Sequence, residues 1–340
     1  MDVGRQLMTP YRLDRRSMLR GIMAAGAVSS LPSGRAKAAS RPLSLLTNWY
    51  AQAEHGGYYQ ASEDGLYNAQ NLDVSIQMGG PQMNMTQLLM AGQCDIAIMQ
   101  GEEAIRCAVQ GIPAVAIATT FQKGVGGLMT HPDIHDIAEL KGHPILISSE
   151  GRASFWVWLK KRYGFTEDQA HPYTYNLQPF AFNPQMAMQA FVSSEPYGAK
   201  KAGIPFNFFL LDDLGYAAYG NVLMVSRKTL EERGPELQKF IAASSEGWKR
   251  YIFGESTKGD AAIRKANPDM SADQLAWSRQ KLRDIKALGA PGAPIMTMND
   301  ERWQRIYDIQ LSAQLIADSP KWKEGYTLDV VHNSLATVPA

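Results

Sequence analysis

Short apolar segments that favour β-strands alternate with helical segments through most of this chain, and this alternation limits the fold more than any other feature. The first strand segment is Leu43–Leu46, a helix is predicted over residues 58–67, and a second strand over 71–76. A strand, a helix and another strand in this order predict a βαβ unit with parallel strands. We therefore expect an α/β fold in which mostly parallel sheets are flanked by helices.

The chain of 340 residues is long enough to build two such sheets. Residues 124–127, Gly-Val-Gly-Gly, interrupt the first series of strands and helices, and a second series begins with a strand predicted at 145–149. The last third is mainly helical. We predict two lobes, with residues 39–130 and 217–340 in lobe one and residues 131–216 in lobe two.

The overall composition excludes several classes of function. The formal net charge is only +1, so the chain lacks the basic surface expected of a protein that binds nucleic acid. Two cysteines, Cys94 and Cys107, are too few for a disulfide framework or a four-cysteine metal site. We expect no metal, no cofactor and no nucleic-acid partner.

Residues 1–38 have the features of an export signal. Arg15 and Arg16 form a twin-arginine pair, an apolar run follows at 21–31, and residues 36–38, Ala-Lys-Ala, offer a cleavage site. The apolar run is shorter than the roughly 20 residues that span a bilayer. We therefore predict export by the twin-arginine (Tat) machinery, cleavage near Ala38, and a mature protein in the periplasm.

Polar and aromatic residues follow the first predicted strand. Asn48, Trp49 and His55 lie in the segment after Leu43–Leu46. Ligands of open α/β sheets bind at the carboxyl ends of the strands, and an aromatic ring there can stack on a flat ligand. Ordinary core packing is the alternative for Trp49, and a structural role is the alternative for His55.

Two further strand ends of the first series carry candidate ligand contacts. Gly80, in a Gly-Gly-Pro turn before a predicted helix, would let the backbone approach a ligand near free N–H groups. Met99, Gln100 and Glu103 lie at the end of the third predicted strand and would line the same cleft.

The second series offers candidates at two strand-to-helix turns. Ser149 and Arg152 could hydrogen-bond a polar ligand, although Ser149 could equally cap the helix that follows. Glu195, followed by Tyr197, could accept N–H bonds from an aminopyrimidine edge. As an acidic residue in a first turn, Glu195 could instead only complement the helix dipole.

These motifs together resemble those of the thiamine-pyrimidine-precursor-binding proteins, which are type II periplasmic binding proteins of ABC importers. The resemblance covers residues 43 to 230. Besides Asn48, Trp49 and His55, it rests on Gly-Leu-Tyr at 65–67, Asn-Leu-Asp-Val at 71–74, Gly-Gly-Pro at 79–81, Gly-Gln-Cys-Asp-Ile-Ala at 92–97, Glu-Leu-Lys-Gly at 139–142 and Ser-Glu-Pro-Tyr at 194–197. It implies a two-lobed type II fold that closes on a ligand, with Trp49, His55 and Glu195 in the cleft.

The same family contains a fungal enzyme that makes hydroxymethylpyrimidine phosphate from its own histidine and a lysine-bound pyridoxal phosphate. Met99 stands where that enzyme has the lysine, and Glu103 stands where it has the histidine. Its cysteine-rich iron motif is replaced by Tyr-Ala-Ala-Tyr at 216–219. The resemblance therefore implies a binding protein, not an enzyme.

We accordingly predict a monomeric solute-binding protein that delivers a small molecule to an ABC permease of the inner membrane. The preferred ligand is a small nitrogen-containing heteroaromatic compound, in particular a pyrimidine precursor of thiamine. A sulfonate, taurine or nitrate-type ligand is the first alternative, with Arg152 as its partner. An exported enzyme that acts on a heteroaromatic compound, with Glu103 or Glu195 as base, is the second.

Overall fold

The computed structural model describes residues 41–80, 83–216, 218–330 and 335–339. The predicted export signal lies outside the described residues, and so does Pro81 of the Gly-Gly-Pro turn. The described residues form ten strands: β1 (Leu43–Leu46), β2 (Val74–Gln77), β3 (Ile96–Met99), β4 (Ala114–Phe121), β5 (Gly126–Thr130), β6 (Ile145–Ile147), β7 (Ala170–Pro172), β8 (Ala187–Phe191), β9 (Asn207–Leu210) and β10 (Gly220–Ser226).

These strands make two five-stranded sheets. The first has the order β2-β1-β3-β10-β4, in which β1 is parallel to β2 and β3, and β10 is antiparallel to both its neighbours. The second has the order β7-β6-β8-β5-β9, in which β6 is parallel to β7 and β8, and β5 is antiparallel to both its neighbours. Each sheet thus has four strands in one direction and one reversed strand, which confirms the prediction of mostly parallel sheets.

The chain crosses from the first sheet to the second between β4 and β5, and it returns between β9 and β10. The predicted boundary at residue 130 assigned β5 to lobe one, whereas β5 pairs in the second sheet. At Gly127, within β5, a Cβ atom would lie 2.4 Å from the ring of Phe208 and from the carbonyl oxygen of Phe209. The glycine that suggested a break in the pattern is required by packing within a strand. We therefore propose lobe one around the first sheet and lobe two around the second, with the first crossing at 122–125.

Helices flank both sheets. In the described residues the α-helices are α1 (Gly56–Glu63), α2 (Leu66–Ala69), α3 (Met85–Met90), α4 (Gly101–Val109), α5 (Ser149–Arg152), α6 (Phe155–Tyr163), α7 (Gln178–Phe182), α8 (Glu195–Lys201), α9 (Arg227–Phe253), α10 (Thr257–Ala266), α11 (Ala272–Asp284) and α12 (Asp300–Ser312). Short 3-10 helices lie at Ala53–His55, Ile137–Leu140, Glu167–Gln169 and Pro320–Gly325.

The helix predicted to begin at about Asn84 begins at Met85, because the Asn84 side chain accepts the N–H of Gln87 at 3.0 Å and caps it. Two other predictions near the site differ from the structure. The sequence predicts a helix over residues 103–110, whereas α4 begins at Gly101. The sequence also predicts a strand over residues 173–176, whereas the edge strand β7 ends at Pro172 and a loop follows it.

Two consecutive glycines anchor the segment after β1 to the core of lobe one. A Cβ atom on Gly56 would lie 2.0 Å from the ring of Tyr251, and one on Gly57 would lie 2.2 Å from the ring of Trp248. Because both rings belong to α9, only glycine allows α1 to approach that helix so closely. The loop between β1 and α1 is consequently held at both ends by buried structure.

Candidate ligand-binding cleft

A cleft that is partly open to solvent lies between the two lobes. It is found beyond the carboxyl ends of β1 and β3, where an open α/β sheet binds its ligands. Of the predicted site residues, four line it: Asn48, Trp49, Gln100 and Glu195. The other predicted residues lie elsewhere, for reasons given below.

Trp49 forms part of the cavity wall and is only half-buried. The loop that carries it is fixed by Thr47, whose hydroxyl donates to the Trp49 carbonyl at 2.7 Å and accepts the Gly79 N–H at 3.0 Å. Gly79 must be glycine, because a Cβ atom would lie 1.9 Å from the Thr47 carbonyl oxygen. The indole packs edge-to-face, with 5.9 Å between ring centroids, on Tyr50 and on Tyr175 of lobe two. One indole therefore contacts both lobes at the cavity.

His55 does not line the cavity but supports Asn48, which does. The imidazole is fully buried, with Nε2 3.0 Å from the Asn48 amide oxygen. Burial lowers the pKa of His55 to about 3, so the ring is neutral near pH 7. Since an amide oxygen only accepts, Nε2 carries the proton and donates it to Asn48. This contact fixes the orientation of the Asn48 side chain, whose NH₂ group does not bond His55.

Glu195 lies on the lobe-two side of the cavity, at the start of α8. One carboxylate oxygen accepts the hydroxyl of Tyr173, and the other accepts the backbone N–H of Phe191 at 2.7 Å. Burial raises the pKa of Glu195, while these two donors oppose the rise. Each oxygen keeps a further lone pair, so the carboxylate can still accept an N–H group from a ligand.

Glu54, next to His55, joins the lobes behind the cavity. Its carboxylate accepts the hydroxyl of Ser193 in lobe two, and its backbone carbonyl accepts the Asn221 side chain at 2.7 Å. The Ser193 carbonyl in turn accepts the hydroxyl of Ser278 on α11 at 2.6 Å. Burial raises the pKa of Glu54 to about 7. These contacts hold the turn that precedes Glu195 against lobe one.

Two predicted residues near α4 lie outside the cavity lining. Met99 is buried in the core of lobe one, and Glu103 is bonded to Arg106 and to the Thr86 hydroxyl, the latter at 2.8 Å. Its neighbour on α4, Glu102, lines the cavity. A ligand contact by Met99 or by Glu103 stays a prediction.

Arg152 also lies outside the lining, because its guanidinium is held on the far side of α5. It bonds the Glu167 carboxylate at 3.1 Å and the carbonyl of Ala170. Ser149 is exposed, and the cap of α5 is its neighbour Ser148, whose hydroxyl accepts a backbone N–H of the first turn at 3.0 Å. Ser148 lines the cavity in place of Ser149.

Gly80 and Tyr197 complete the set of predicted residues that do not line the cavity. Gly80 lies at the outer side of the Tyr50 ring, where a Cβ atom would be 3.6 Å away. Tyr197 packs against Trp277 of α11, with ring centroids 5.8 Å apart, because the first turn of α8 directs it away from the cleft.

Several lining residues were missed from the sequence. Gln189 lies within β8, and its side chain accepts the N–H of Ser148 at 2.7 Å. Asp212 and Tyr216 lie in the return crossing, and Asn221 adopts a left-handed backbone with φ of 50°. Asp212, Tyr216 and Asn221 share one signal, since they flank the return crossing and such residues face the space between the lobes, whereas Gln189 lies within β8 and has no such signal.

The cavity lining is acidic. Four carboxylates line it, those of Glu102, Glu150, Glu195 and Asp212, and its described lining residues include no Lys, Arg or His. Only Asp212 has a direct ion-pair partner, Arg302, at 2.9 Å. An anion would therefore enter a field of like charge, whereas N–H donors or a cation would find acceptors.

The sequence matches the family model described as NMT1/THI5 like over residues 52–253. It is 22% identical, over 77% of this chain and 82% of the relative, to the formylaminopyrimidine-binding protein of Halalkalibacterium halodurans. A second relative, a putative thiamine biosynthesis protein of Haemophilus influenzae, is 22% identical over 37% of this chain and 40% of its own.

Solved structures share the fold at low sequence identity. The periplasmic aliphatic sulphonate binding protein of Escherichia coli has a TM-score of 0.61 at 16% identity, covering 83% of this chain and 91% of its own. A ligand-binding component of an ABC-type import system of Staphylococcus aureus has a TM-score of 0.64 at 14% identity, covering 86% and 98%. In the described residues no helix is long and apolar enough to cross a membrane. The chain belongs to the NMT1/THI5-like family and has the two-lobed fold of the periplasmic binding proteins.

Proposed function

We propose that this protein is an exported solute-binding protein of an ABC importer that binds a small nitrogen-containing heteroaromatic compound, preferably a pyrimidine precursor of thiamine. The observation that carries the proposal is the pairing of Trp49 with Glu195 in a cleft whose described lining residues include no cationic side chain. An aromatic face and a carboxylate acceptor match the two features of an aminopyrimidine, its flat ring and its N–H edge.

Because the ligand would bind between the lobes, its affinity would depend on the relative position of the two sheets. Trp49 of lobe one contacts Tyr175 of lobe two, and Glu54 bonds Ser193 beside the cavity. A ligand that contacts both walls binds more tightly when these contacts between the lobes are formed. Ligand binding therefore favours the closed arrangement of the lobes. The permease would recognise this closed form, and the protein would act as a monomer without cofactor or catalysis.

The anion alternative has less support. Arg152, its proposed partner, is bonded to Glu167 and Ala170 outside the cavity lining. The enzyme alternative needs Glu103 or Glu195 as a free base. Glu103 is bonded to Arg106 outside the lining, and the Tyr173 hydroxyl and the Phe191 N–H oppose the rise in the pKa of Glu195 that a general base would need.

Export is part of the same proposal and is tested separately. Replacing Arg15 and Arg16 by Lys should leave the uncleaved precursor in the cytoplasm, because the arginine pair is the recognised signal. Cell fractionation with an antibody to the mature protein measures this. Undiminished mature protein in the periplasm would contradict a twin-arginine route.

The ligand class is tested by a thermal-shift screen of the mature protein. The probes are 4-amino-5-hydroxymethyl-2-methylpyrimidine, its formylaminomethyl analogue, taurine, ethanesulfonate and nitrate. We expect the pyrimidines to raise the melting temperature and the three anions not to, because only N–H donors find acceptors in this cleft. Stabilisation by an anion without stabilisation by a pyrimidine would overturn the proposal.

A further inference from the structure

The cleft contains a second polar group besides Trp49 and Glu195, formed by Glu102, Glu150 and Tyr216, which we name the acidic subsite. The Glu102 side chain lines the cavity while only 4% of the residue is exposed, and one of its carboxylate oxygens has no hydrogen-bond partner. The hydroxyl of Tyr216, a residue 5% exposed, lines the same cavity and lies close enough to Glu102 to lower the pKa of that carboxyl. Neither this hydroxyl nor the buried oxygen of Glu102 makes a hydrogen bond of normal geometry, so a donor placed between them would complete both groups.

The charges around the acidic subsite do not balance. Arg106 is bonded to Glu103 and donates to the Ala153 carbonyl at 3.0 Å. Glu102 and Glu150 therefore remain without a direct ion pair. Asp212, the other carboxylate near Tyr216 in the chain, is neutralised by Arg302.

Each group that faces the subsite acts on its protonation. Burial raises the pKa of Glu102, the Tyr216 hydroxyl and Arg106 oppose the rise, and Glu103 adds to it. Desolvation and the charges of Glu102 and Glu103 raise the pKa of Glu150, Arg106 opposes the rise, and the residue is still exposed to solvent. A positive charge between these carboxylates would favour their ionised forms and gain two charged hydrogen bonds.

We propose that the acidic subsite binds a protonated amine of the ligand, so that the substrate class is a heteroaromatic compound with an ammonium substituent. The inference rests on the proposed function for the position of the ring. It goes further in assigning the charge of the ligand and the residues that select it. An ammonium group has three donors, which match the two carboxylates and the Tyr216 hydroxyl.

The test compares two pyrimidines that differ in one group, 4-amino-5-aminomethyl-2-methylpyrimidine and its 5-hydroxymethyl counterpart. Titration calorimetry near pH 7 gives both dissociation constants for the parent, Glu102→Gln, Glu150→Gln and Glu301→Gln, the last an exposed acid on α12. We expect the aminomethyl compound to bind the parent about tenfold or more tightly. This preference should largely disappear in Glu102→Gln and Glu150→Gln and persist in Glu301→Gln.

Proton release on ligand binding distinguishes a carboxyl that contacts the ligand from one with a purely structural role. If ammonium binding ionises the carboxyls, the observed enthalpy near pH 7 will depend on the ionisation heat of the buffer in the parent and less so in Glu150→Gln. Far-UV circular dichroism checks the fold of each variant. If Glu102→Gln does not fold, Glu150→Gln decides the test, since its side chain reaches solvent.

Tighter or equal binding of the hydroxymethyl compound by the parent would overturn the inference, and so would an unchanged preference in both variants. Benzylamine and benzyl alcohol, titrated in parallel, separate this inference from the proposed function. If neither pyrimidine binds but benzylamine is preferred in a Glu102-dependent way, the proposed function fails and the acidic subsite stands. If neither amine is preferred over its alcohol, the acidic subsite is wrong.

Discussion

The two walls of the cleft are built in different ways. On lobe one, Thr47 fixes the loop that carries Trp49, and His55 fixes the Asn48 side chain. Neither Thr47 nor His55 lines the cavity. On lobe two, Glu195 is held by Tyr173, which lines the cavity itself, and by a backbone N–H. The first wall offers a flat apolar surface of fixed orientation, and the second offers a charged acceptor.

This difference assigns different tasks to the two lobes. An aromatic face adds affinity for any flat ring, because stacking and area burial depend little on the ring's substituents. A buried carboxylate discriminates between ligands, since it forms a hydrogen bond with an N–H donor and repels an anion. We therefore expect substitution of Trp49 to weaken the binding of all flat ligands alike, and substitution of Glu195 to change which ligand is preferred.

Trp49→Ala is expected to weaken the binding of every flat ligand. Stacking is worth about 0.5–1.5 kcal/mol beyond area burial, which itself adds about 25 cal/mol per Å². Titration calorimetry should show pyrimidine binding weakened by roughly tenfold to a hundredfold, while Trp49→Phe keeps much of it. Trp277→Ala removes a half-buried indole outside the cavity lining and should bind as the parent does. Normal binding by Trp49→Ala, together with a large fall in melting temperature, would make Trp49 a core residue.

The second effect is a change of preference in Glu195→Gln. The variant keeps the side-chain shape but loses the charge and replaces one acceptor with a donor. A charged hydrogen bond contributes about 1.5–3 kcal/mol, so pyrimidine affinity should fall by roughly tenfold to over a hundredfold, and the discrimination against taurine should narrow. Glu167→Gln, an exposed acid of the same lobe, is the matched control. Equal losses for a pyrimidine and for a ring without N–H donors would contradict a selective role.

The smallest effect is expected for Arg152→Gln. Its guanidinium bonds Glu167 and Ala170 and does not line the cavity, so the dissociation constant of a pyrimidine should change by less than about twofold. A modest loss of stability in a thermal melt would reflect the lost ion pair. If the variant instead lost binding of a sulfonate that the parent had bound, the lobe-two wall would be an anion site.

The sequence predicted the fold better than it predicted which side chains reach the cleft. Alternating strands and helices located both sheets, and strand ends located Asn48, Trp49, Gln100 and Glu195. Side-chain direction within a helix could not be predicted as well, because it depends on the first helical residue. On α4, Glu102 lines the cavity and its neighbour Glu103 does not.

Long-range partners were the other source of error. Arg152 was assigned to the ligand because its partners Glu167 and Ala170, more than a dozen residues away, form a 3-10 helix and an edge strand that the sequence did not reveal. Asp212 and Tyr216 were missed because they belong to no strand or helix, and only the path of the crossing brings them to the cleft.

The central claim is that one ligand is held by both walls at once. The most direct test is a calorimetric comparison of Trp49→Ala, Glu195→Gln and the double variant with 4-amino-5-hydroxymethyl-2-methylpyrimidine. The two side chains make no hydrogen bond or ring contact with each other in the described structure, so their losses of binding free energy should nearly add in the double variant. A double variant that binds no more weakly than the weaker single variant would show that the ligand does not bridge Trp49 and Glu195.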